Sequence, residues 1–329
     1  MASGDATPSF LTPAPAVAPL LPDEFDHPVP ELVHAPGSAA AEDAALSVVG
    51  APFDTTTMGR RGSKHGPAAI RQALAGLLSY HAGFGVDLAE SGGLVDYGDV
   101  EVVDTDVVET WRRISAVTRG LAGRGRPLAV LGGDHGLTFP ALRGLVEAIG
   151  GSIALVSLDA HFDVRPHHRG QPASGVPFRY ALERLGGRVV AGASSQIGIA
   201  GWENSSTAAR YLDDASVRIF SARDVHRTGV DAIAADVLER AAGADAIWLT
   251  LDIDAVDAAY APGTNAPTIG GLTSHQFLEF AWQISRGGRL AGFDLVEVSP
   301  PLDVAGITSL LGAQALLTVL AGLSAQQRS

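Results

Sequence analysis

The sequence predicts a three-layer α/β/α fold built on a mostly parallel sheet of about eight strands. Short runs of apolar residues alternate with amphipathic stretches from about residue 43 onward, and the runs are continuously apolar. Continuous apolar strands are buried on both faces, which is the pattern of a parallel sheet covered by helices on both sides. Hydrophobic residues make up 46% of the 329 residues and charged residues 18%, so the chain can bury a large core.

The predicted elements follow one another in that alternation. Strands are predicted at 45–49, 93–95, 128–131, 153–158, 196–199, 217–220, 246–251 and 290–295. Amphipathic periodicity predicts helices at 67–78, 107–122, 139–148, 176–185, 230–242, 274–285 and 307–323. No break in composition divides residues 43–329, which are expected to form a single domain. Residues 1–42 are rich in Pro and Ala without periodicity and are expected to form a flexible arm.

Charge and composition exclude several classes of function. The chain has 23 Lys and Arg against 36 Asp and Glu, a net charge of −13, whereas nucleic-acid and anionic-membrane binders need a basic face. The absence of Cys rules out disulfides, thiolate metal sites and Cys nucleophiles. We see no apolar run of the roughly 18–20 residues that a transmembrane helix requires, and no clear signal peptide. We therefore expect a cytoplasmic protein that binds neither nucleic acid nor membrane.

Polar clusters follow three of the predicted strands. Because the carboxyl ends of parallel strands meet at one edge of a sheet, these clusters should lie together. In Asp159-x-His161-x-Asp163 the spacing of two would place the three side chains on one side of an extended backbone. The titratable residues of the three clusters are His135, Asp159, His161, Asp163, Asp252 and Asp254.

Four carboxylates and two imidazoles side by side require cations. Clustered carboxylates repel one another unless positive charge neutralises them. Six ligands exceed the need of one ion and suit two divalent ions, and hard oxygen ligands with imidazole favour Mn²⁺ over a thiophilic metal. Two ions about 3.5–4 Å apart can hold and deprotonate a water that bridges them, which produces a hydroxide nucleophile near neutral pH.

The same segments resemble the ureohydrolase superfamily of arginases, agmatinases, guanidino-acid hydrolases and formimidoylglutamases. The resemblance covers residues 47–325 and implies an arginase-like fold, with 43–329 as one catalytic domain. It is carried by the segments GAPFD (50–54), GPAAIR (66–71), DYGD (96–99), LGGDH (131–135), LDAHFD (158–163), LDIDAVD (251–257), APGT (261–264) and DLVEVSP (294–300).

The resemblance implies two Mn²⁺ ions per subunit. One ion would be bound by His135, Asp159, Asp163 and Asp252, and the other by Asp159, His161, Asp252 and Asp254. It also implies catalytic roles for Asp163 and Glu297, and Glu297 would pair with the cationic end of a small amidine or guanidino substrate. Family members are usually homo-oligomers, so a trimer or hexamer is expected.

Two residues near the metal ligands favour the formimidoylglutamase branch. Arg165 would bind substrate carboxylates, and Ser174, which is also expected to contact the substrate, stands where arginases and agmatinases typically carry His. The predicted reaction converts N-formimidoyl-L-glutamate and water to L-glutamate and formamide, as in histidine degradation. His167 and His168 follow in the same loop and are expected to be solvated.

Two alternatives stay open. The segment VEVSPP (296–301) is closer to agmatinases and guanidino-acid hydrolases, which release urea. A homologue that binds metal without turnover is the alternative from another class, because Ser174 and Gly136 both depart from the usual pattern.

Overall fold

The computed structural model describes residues 10–12, 27–166 and 172–327. Ten of the strands in these residues form one sheet, and two form a small hairpin. The strands are β1 (Leu11–Thr12), β2 (Val33–His34), β3 (Leu46–Ala51), β4 (Tyr80–His81), β5 (Val86–Asp87), β6 (Leu94–Val100), β7 (Leu128–Gly132), β8 (Ile153–Leu158), β9 (Ser195–Ile199), β10 (Arg218–Ser221), β11 (Ala246–Asp252) and β12 (Leu290–Val296). All eight predicted strands are present, as β3 and β6 to β12.

The order of the strands brings the polar clusters together. The main sheet runs β1-β6-β3-β7-β12-β11-β8-β9-β10, with β2 also paired to β6. All pairs are parallel except β1 with β6. The adjacent strands β7, β12, β11 and β8 form the middle of the sheet, so their carboxyl ends define one central edge.

Helices cover both faces of the sheet, which confirms the predicted three-layer architecture. One apolar cluster joins one face to α1, α7, α8 and α9, and a second joins the other face to α2, α3, α4 and α5. The helices of the described residues are α1 (Gly66–Leu74), α2 (Val107–Ala122), α3 (Thr138–Ile149), α4 (Pro177–Arg184), α5 (Ser206–Asp214), α6 (Ala222–Thr228), α7 (Val230–Ala241), α8 (Ser274–Gly287) and α9 (Ile307–Gln327).

Two helices and several boundaries differ from the prediction: α9 ends at Gln327 and not at 323, and β6 ends at Val100 and not at 95. The helices α5 and α6 were not predicted, because each is short and its apolar positions are few. The helix predicted at 67–78 ends at Leu74, since the residues that follow turn away. There the main chain of Leu77 accepts a hydrogen bond from Val29 N at 2.9 Å.

The described part of the N-terminal segment packs against the domain. Strand β1 pairs with the edge strand β6, and Glu101 N donates to Phe10 O at 2.8 Å. Val29 is fully buried. Pairing with the edge strand and an apolar contact therefore hold parts of residues 10–12 and 27–42 against the domain.

Helix α9 is long and apolar enough to cross a membrane by length and composition alone, although no such run was evident in the sequence analysis. It has 21 residues and a mean hydropathy of 1.6 over its most apolar 18-residue window, of which 78% is buried inside the protein. It packs against α1 and α8, as the core helix of a globular domain does.

Candidate metal centre and active site

The predicted site residues follow the four central strands. His135 lies three residues after β7, Asp159 follows β8 directly, Asp252 is the last residue of β11, and Glu297 follows β12 directly. Because these strands are neighbours and parallel, the four side chains meet at one edge of the sheet.

The structure brings all six predicted metal ligands together around two imidazoles. His135 Nδ1 lies 3.2 Å from Asp159 Oδ2, 3.0 Å from Asp163 Oδ2 and 3.1 Å from Asp252 Oδ2. His161 Nδ1 lies 3.0 Å from Asp254 Oδ2 and 3.5 Å from Asp159 Oδ1. Asp159 is common to both groups, so two ions held here would share it.

The backbone of the ligand segment is turned, not extended. Strand β8 ends at Leu158, His161 N donates to Asp159 Oδ1 at 2.6 Å, and Asp163 has a left-handed φ of +48°. The prediction that Asp159, His161 and Asp163 share one side of an extended strand is therefore wrong. The short Asp side chain binds the backbone two residues on and bends the chain, which sends His161 and Asp163 to different groups.

A chain of buried hydrogen bonds sets the tautomer of His135. Trp248 Nε1 donates to Asp294 Oδ2 at 2.7 Å, and Thr250 Oγ1 donates to Asp294 Oδ1 at 2.5 Å. The single hydroxyl proton of Thr250 is thereby used, so its oxygen accepts the Nε2 proton of His135 at 2.9 Å. In the neutral imidazole, Nδ1 of His135 is then left with the lone pair that a metal ligand requires, and this atom faces the carboxylates.

Burial and mutual repulsion shift the titration of the carboxylates. Burial, with Asp254 and Asp159 nearby, raises the pKa of Asp252 well above its usual value. Burial and Asp159 raise the pKa of Asp163 to about 6. Burial would lower the pKa of His135, but the carboxylates that face it outweigh this and raise it. The metal-free cluster therefore holds protons that a cation would displace.

The residues present fit divalent metal ions. His135 Nδ1 and Asp159 Oδ2 are buried without a hydrogen-bond partner among the described residues. Each of the sets His135–Asp159–Asp252 and Asp159–His161–Asp254 has ligand atoms within 4.8 Å of one another. Such buried atoms are costly unless something binds them, and carboxylate oxygen with imidazole nitrogen suits Mn²⁺.

Glu297 offers a carboxylate oxygen to a cation. His135 N donates to Glu297 Oε1 at 2.8 Å, whereas Oε2 is buried without a partner among the described residues. Burial, Asp252 and Asp134 raise the pKa of Glu297 well above its usual value. The φ of +66° at this non-glycine residue is a strained conformation, of the kind that clusters at functional sites. A planar cation with two N–H groups is the ligand that this arrangement suits.

Ser174 and Arg165 lie on a loop beside the metal ligands, in different roles. Ser174 is buried, and its Oγ accepts a hydrogen bond from Met58 N at 3.0 Å. Arg165 is exposed, and its backbone N donates to Gly175 O at 2.9 Å. A Cβ on Gly175 would lie 2.9 Å from Met58 Sδ and 3.1 Å from Arg165 Cδ, so glycine lets these side chains approach. His167 and His168 lie outside the described residues.

Residues that support the site were missed as functional candidates. Asp134 accepts hydrogen bonds from Thr56 N at 2.8 Å and Thr56 Oγ1 at 2.5 Å, and burial raises its pKa to about 7. It ties the 54–59 loop to the strand end that carries His135. Thr250 and Asp294 are likewise buried polar residues within otherwise apolar strands. A polar residue that interrupts an apolar strand, such as Thr250 or Asp294, was the sequence signal that could have indicated a supporting role.

The fold and the site define an α/β protein with a candidate two-metal centre at the carboxyl edge of its sheet. The sequence model of the arginase family matches residues 44–322. The chain therefore belongs to the arginase family.

Relatives with several substrates match almost the whole chain. It is 35% identical over 313 residues to a formimidoylglutamase of Halobacterium salinarum, which covers 91% of this chain and 94% of the relative. It is 36% identical over 292 residues to a guanidinobutyrase of Pseudomonas aeruginosa, with 88% of each chain covered. The solved formimidoylglutamase of Bacillus subtilis superimposes with a TM-score of 0.85 at 28% identity, covering 92% of this chain and 94% of that one. The protein is thus a hydrolase of amidine or guanidino C–N bonds.

Proposed function

We propose that this protein is a formimidoylglutamase that uses two Mn²⁺ ions per subunit to hydrolyse N-formimidoyl-L-glutamate to L-glutamate and formamide. The observation that carries the proposal is an exposed Arg165, two residues after Asp163, whose guanidinium pairs with no carboxylate among the described residues. The similarity to the Halobacterium salinarum formimidoylglutamase supports the same assignment.

The cationic end of this substrate suits Glu297. The formimidoyl group is an amidine that is protonated near neutral pH, and its N–H groups can donate to the unpaired Oε2 of Glu297. A cation suits that oxygen because it compensates the charge of the ionised, buried carboxylate, which a neutral amide would not do. Binding there places the amidine carbon beside the His and Asp cluster.

When bound, the two Mn²⁺ ions would lower the pKa of a water molecule towards neutrality and so make a nucleophile available. Asp163 is suited to move the proton. Its side chain is 13% exposed, against at most 4% for His135, Asp159, Asp252 and Asp254, so its carboxylate is more accessible to water and substrate than theirs. A carboxyl oxygen of Asp163 can accept a proton from the attacking water and pass it to the departing nitrogen of glutamate.

The acidic end of the substrate suits Arg165. A guanidinium binds a carboxylate through two parallel hydrogen bonds, and it repels a terminal ammonium group. N-formimidoyl-L-glutamate carries two carboxylates, whereas agmatine carries none. Ser174 cannot replace a His acid, because its hydroxyl has no acidity near neutral pH and its oxygen already accepts from Met58 N.

A guanidino-acid hydrolase is the second candidate. The 36% identity to a guanidinobutyrase over 88% of the chain favours it, and 4-guanidinobutyrate also joins a planar cation to a carboxylate. Glu297 and Arg165 would serve that substrate in the same manner. The two candidates differ in the product, since a guanidino acid releases urea.

The test is a substrate panel with the Mn²⁺-loaded protein. N-formimidoyl-L-glutamate is compared with 4-guanidinobutyrate, 3-guanidinopropionate, agmatine and arginine, with glutamate, formamide and urea measured. Glutamate and formamide from the first compound support the proposal, whereas urea from a guanidino acid replaces it with the second candidate. No turnover with two metals bound would favour a non-catalytic homologue.

A charge variant tests the role of Arg165. Arg165→Met is expected to raise KM for N-formimidoyl-L-glutamate by about 10- to 100-fold, since a charged hydrogen bond contributes about 1.5–3 kcal/mol. Arg218→Met, which removes an exposed Arg on β10, is the matched control and should leave KM unchanged. An unchanged KM in Arg165→Met would remove the argument for a carboxylate contact.

We also propose that the protein is a homo-oligomer, a trimer or hexamer, as the family resemblance implies. Light scattering coupled to size-exclusion chromatography measures the mass directly. A monomeric mass at micromolar concentration would contradict this part of the proposal.

A further inference from the structure

We infer that Gln196 and Asn204 are positioning residues that hold the turned backbone of residues 160–163, and thereby direct His161 and Asp163 to the two metal groups. This inference goes beyond the proposed substrate and rests only on the metal-binding part of the proposed function. It concerns two carboxamides that bind the backbone of the ligand segment and are not themselves among the candidate ligands.

The two carboxamides grip the backbone on both sides of Phe162. Asn204 Oδ1 accepts a hydrogen bond from Phe162 N at 3.1 Å, and its Nδ2 donates to Ala160 O at 2.8 Å. Gln196 Nε2 donates to Phe162 O at 2.8 Å. Both peptide groups of Phe162 are therefore fixed by side chains, one from β9 and one from the loop that follows it.

The orientation of each carboxamide is determined by its partners. The N–H of Phe162 requires an acceptor, so Oδ1 of Asn204 must face it, and Nδ2 is then placed to donate also to Ala200 O at 2.7 Å. For Gln196, the carbonyl of Phe162 requires the Nε2 donor. The contacts donated by Asn204 Nδ2 and Gln196 Nε2 therefore require an amide, whereas Asp or Glu would lack the donor and could at most accept from Phe162 N.

Gln196 makes its contact at a cost to stability. Its side chain is fully buried, and its Oε1 has no partner among the described residues. An unpaired buried acceptor destabilises a fold, and an apolar residue of the same shape would avoid this. Because Gln196 lowers the stability of the fold while it binds the carbonyl of Phe162, its role is better explained by the position of the neighbouring ligands His161 and Asp163.

The held segment needs such support because it is strained and functional. Phe162 lies between His161, whose Nδ1 faces Asp254, and Asp163, whose Oδ2 faces His135. Asp163 has a φ of +48°, in the left-handed region that few residues other than glycine adopt, although Asp, Asn and His tolerate it better than most. A strained turn relaxes unless its surroundings over-determine it, and three hydrogen bonds to Ala160 and Phe162 do so here.

The test measures Mn²⁺ affinity separately from stability. Gln196→Met keeps the size of the side chain and removes both the Nε2 donor and the unpaired Oε1. Asn204→Ala removes the hydrogen bonds to Phe162 N and Ala160 O. We expect each variant to bind Mn²⁺ about 10- to 100-fold more weakly by calorimetric titration, as substitutions behind metal ligands do. The metal-free Gln196→Met protein should melt at or above the wild-type temperature. If Gln196 only stabilised the fold, weaker Mn²⁺ binding would instead be accompanied by a lower melting temperature.

A control removes another contact from a Gln amide to a backbone carbonyl, at an exposed residue far from the site. Gln326 Nε2 donates to Gly288 O at 2.7 Å, near the opposite end of β12. Gln326→Met is expected to keep wild-type Mn²⁺ affinity. Should Asn204→Ala fail to fold, Gln196→Met carries the test alone.

The outcomes separate this inference from the proposed function. Folded variants that bind Mn²⁺ with wild-type affinity would overturn the inference. If the metal-free Gln196→Met protein also melts at a lower temperature while its Mn²⁺ affinity is unchanged, Gln196 only stabilises the fold. Weaker Mn²⁺ binding supports it even if no amidine in the substrate panel is hydrolysed, because the readout is the metal titration. In that case the proposed substrate alone would be wrong.

Discussion

Removal of the Thr250 hydroxyl tests whether the buried chain behind His135 prepares that residue to bind metal. Thr250→Val keeps the shape of the side chain. It leaves the Nε2 proton of His135 without its acceptor at 2.9 Å, and it takes from Asp294 the donor at 2.5 Å. Trp248 Nε1 continues to donate to the other oxygen of Asp294. The tautomer of His135 is then no longer fixed.

The expected effect has two parts. A buried N–H without a partner and a carboxylate that loses one of its donors together cost about 3 kcal/mol in the free energy of unfolding. At about 2 °C per kcal/mol for a chain of this size, the metal-free protein should melt about 6 °C lower. Mn²⁺ affinity should fall by about 10- to 100-fold, because part of the protein then carries its proton on His135 Nδ1.

Calorimetric unfolding and Mn²⁺ titration of the same preparations measure both quantities. Thr118→Val is the control, since Thr118 is equally buried but its hydroxyl donates only to carbonyls of its own helix. Thr250→Ser should restore affinity, because it keeps the hydroxyl. Wild-type Mn²⁺ affinity in a folded Thr250→Val protein would refute the argument that Thr250 sets the tautomer.

Three further predictions concern stability, substrate binding and pH. Arg71→Leu should lower the free energy of unfolding by about 3–5 kcal/mol in a denaturant titration, because it leaves the buried Asp96 carboxylate without its ion-pair partner. In the wild-type protein Arg71 binds this carboxylate at 2.7 and 2.8 Å. A loss below about 1 kcal/mol would contradict this prediction. Glu297→Gln should lower kcat/KM for the amidine at least about 100-fold, because the substrate cation loses its carboxylate partner. The metal-free variant should melt at a higher temperature than the wild type, because a buried carboxylate without a cation destabilises the fold. An unchanged kcat/KM would show that the carboxylate charge is not used. In the metal-free protein, burial raises the pKa of Asp163 to about 6 and of Asp134 to about 7, above their unfolded values. Their stabilising contribution is complete below about pH 4 and is lost as pH rises through about 6 to 7. Mn²⁺ would displace the proton of Asp163, which is one of the candidate ligands, whereas Asp134 binds Thr56 and not the metal. The rise in melting temperature on adding Mn²⁺ should therefore grow between about pH 5 and pH 8, and a constant rise would contradict the assignment.

The layers of the fold could be predicted because burial leaves a periodic signal. Strand β8 (Ile153–Leu158) is buried at every position, and the sequence shows it as an unbroken apolar run. Helix α5 (Ser206–Asp214) was missed because only Leu212 in it is buried, so its apolar pattern is too sparse to recognise. Contacts with the rest of the chain stabilise it, and such contacts leave no mark on local periodicity.

The candidate ligands could also be named in advance, but their arrangement could not. Carboxylates and imidazoles after strand ends indicated a metal centre, yet the expected extended backbone through His161 does not exist. The turn depends on Asp159 binding the backbone, and on Gln196 and Asn204 holding Phe162 from segments more than thirty residues away in sequence. Only the folded chain brings these groups within hydrogen-bond distance.

The sequence by itself determined the class of fold, the type of ligand atoms and the family resemblance, because each depends on residue type and local spacing. The tertiary structure decided which oxygen faces which imidazole, that His135 presents Nδ1, and that Ser174 accepts from Met58 N. It also placed Arg165 without a carboxylate partner among the described residues, beside the metal ligands. These features arise from contacts between strands and loops distant in the chain, and packing alone fixes their distances.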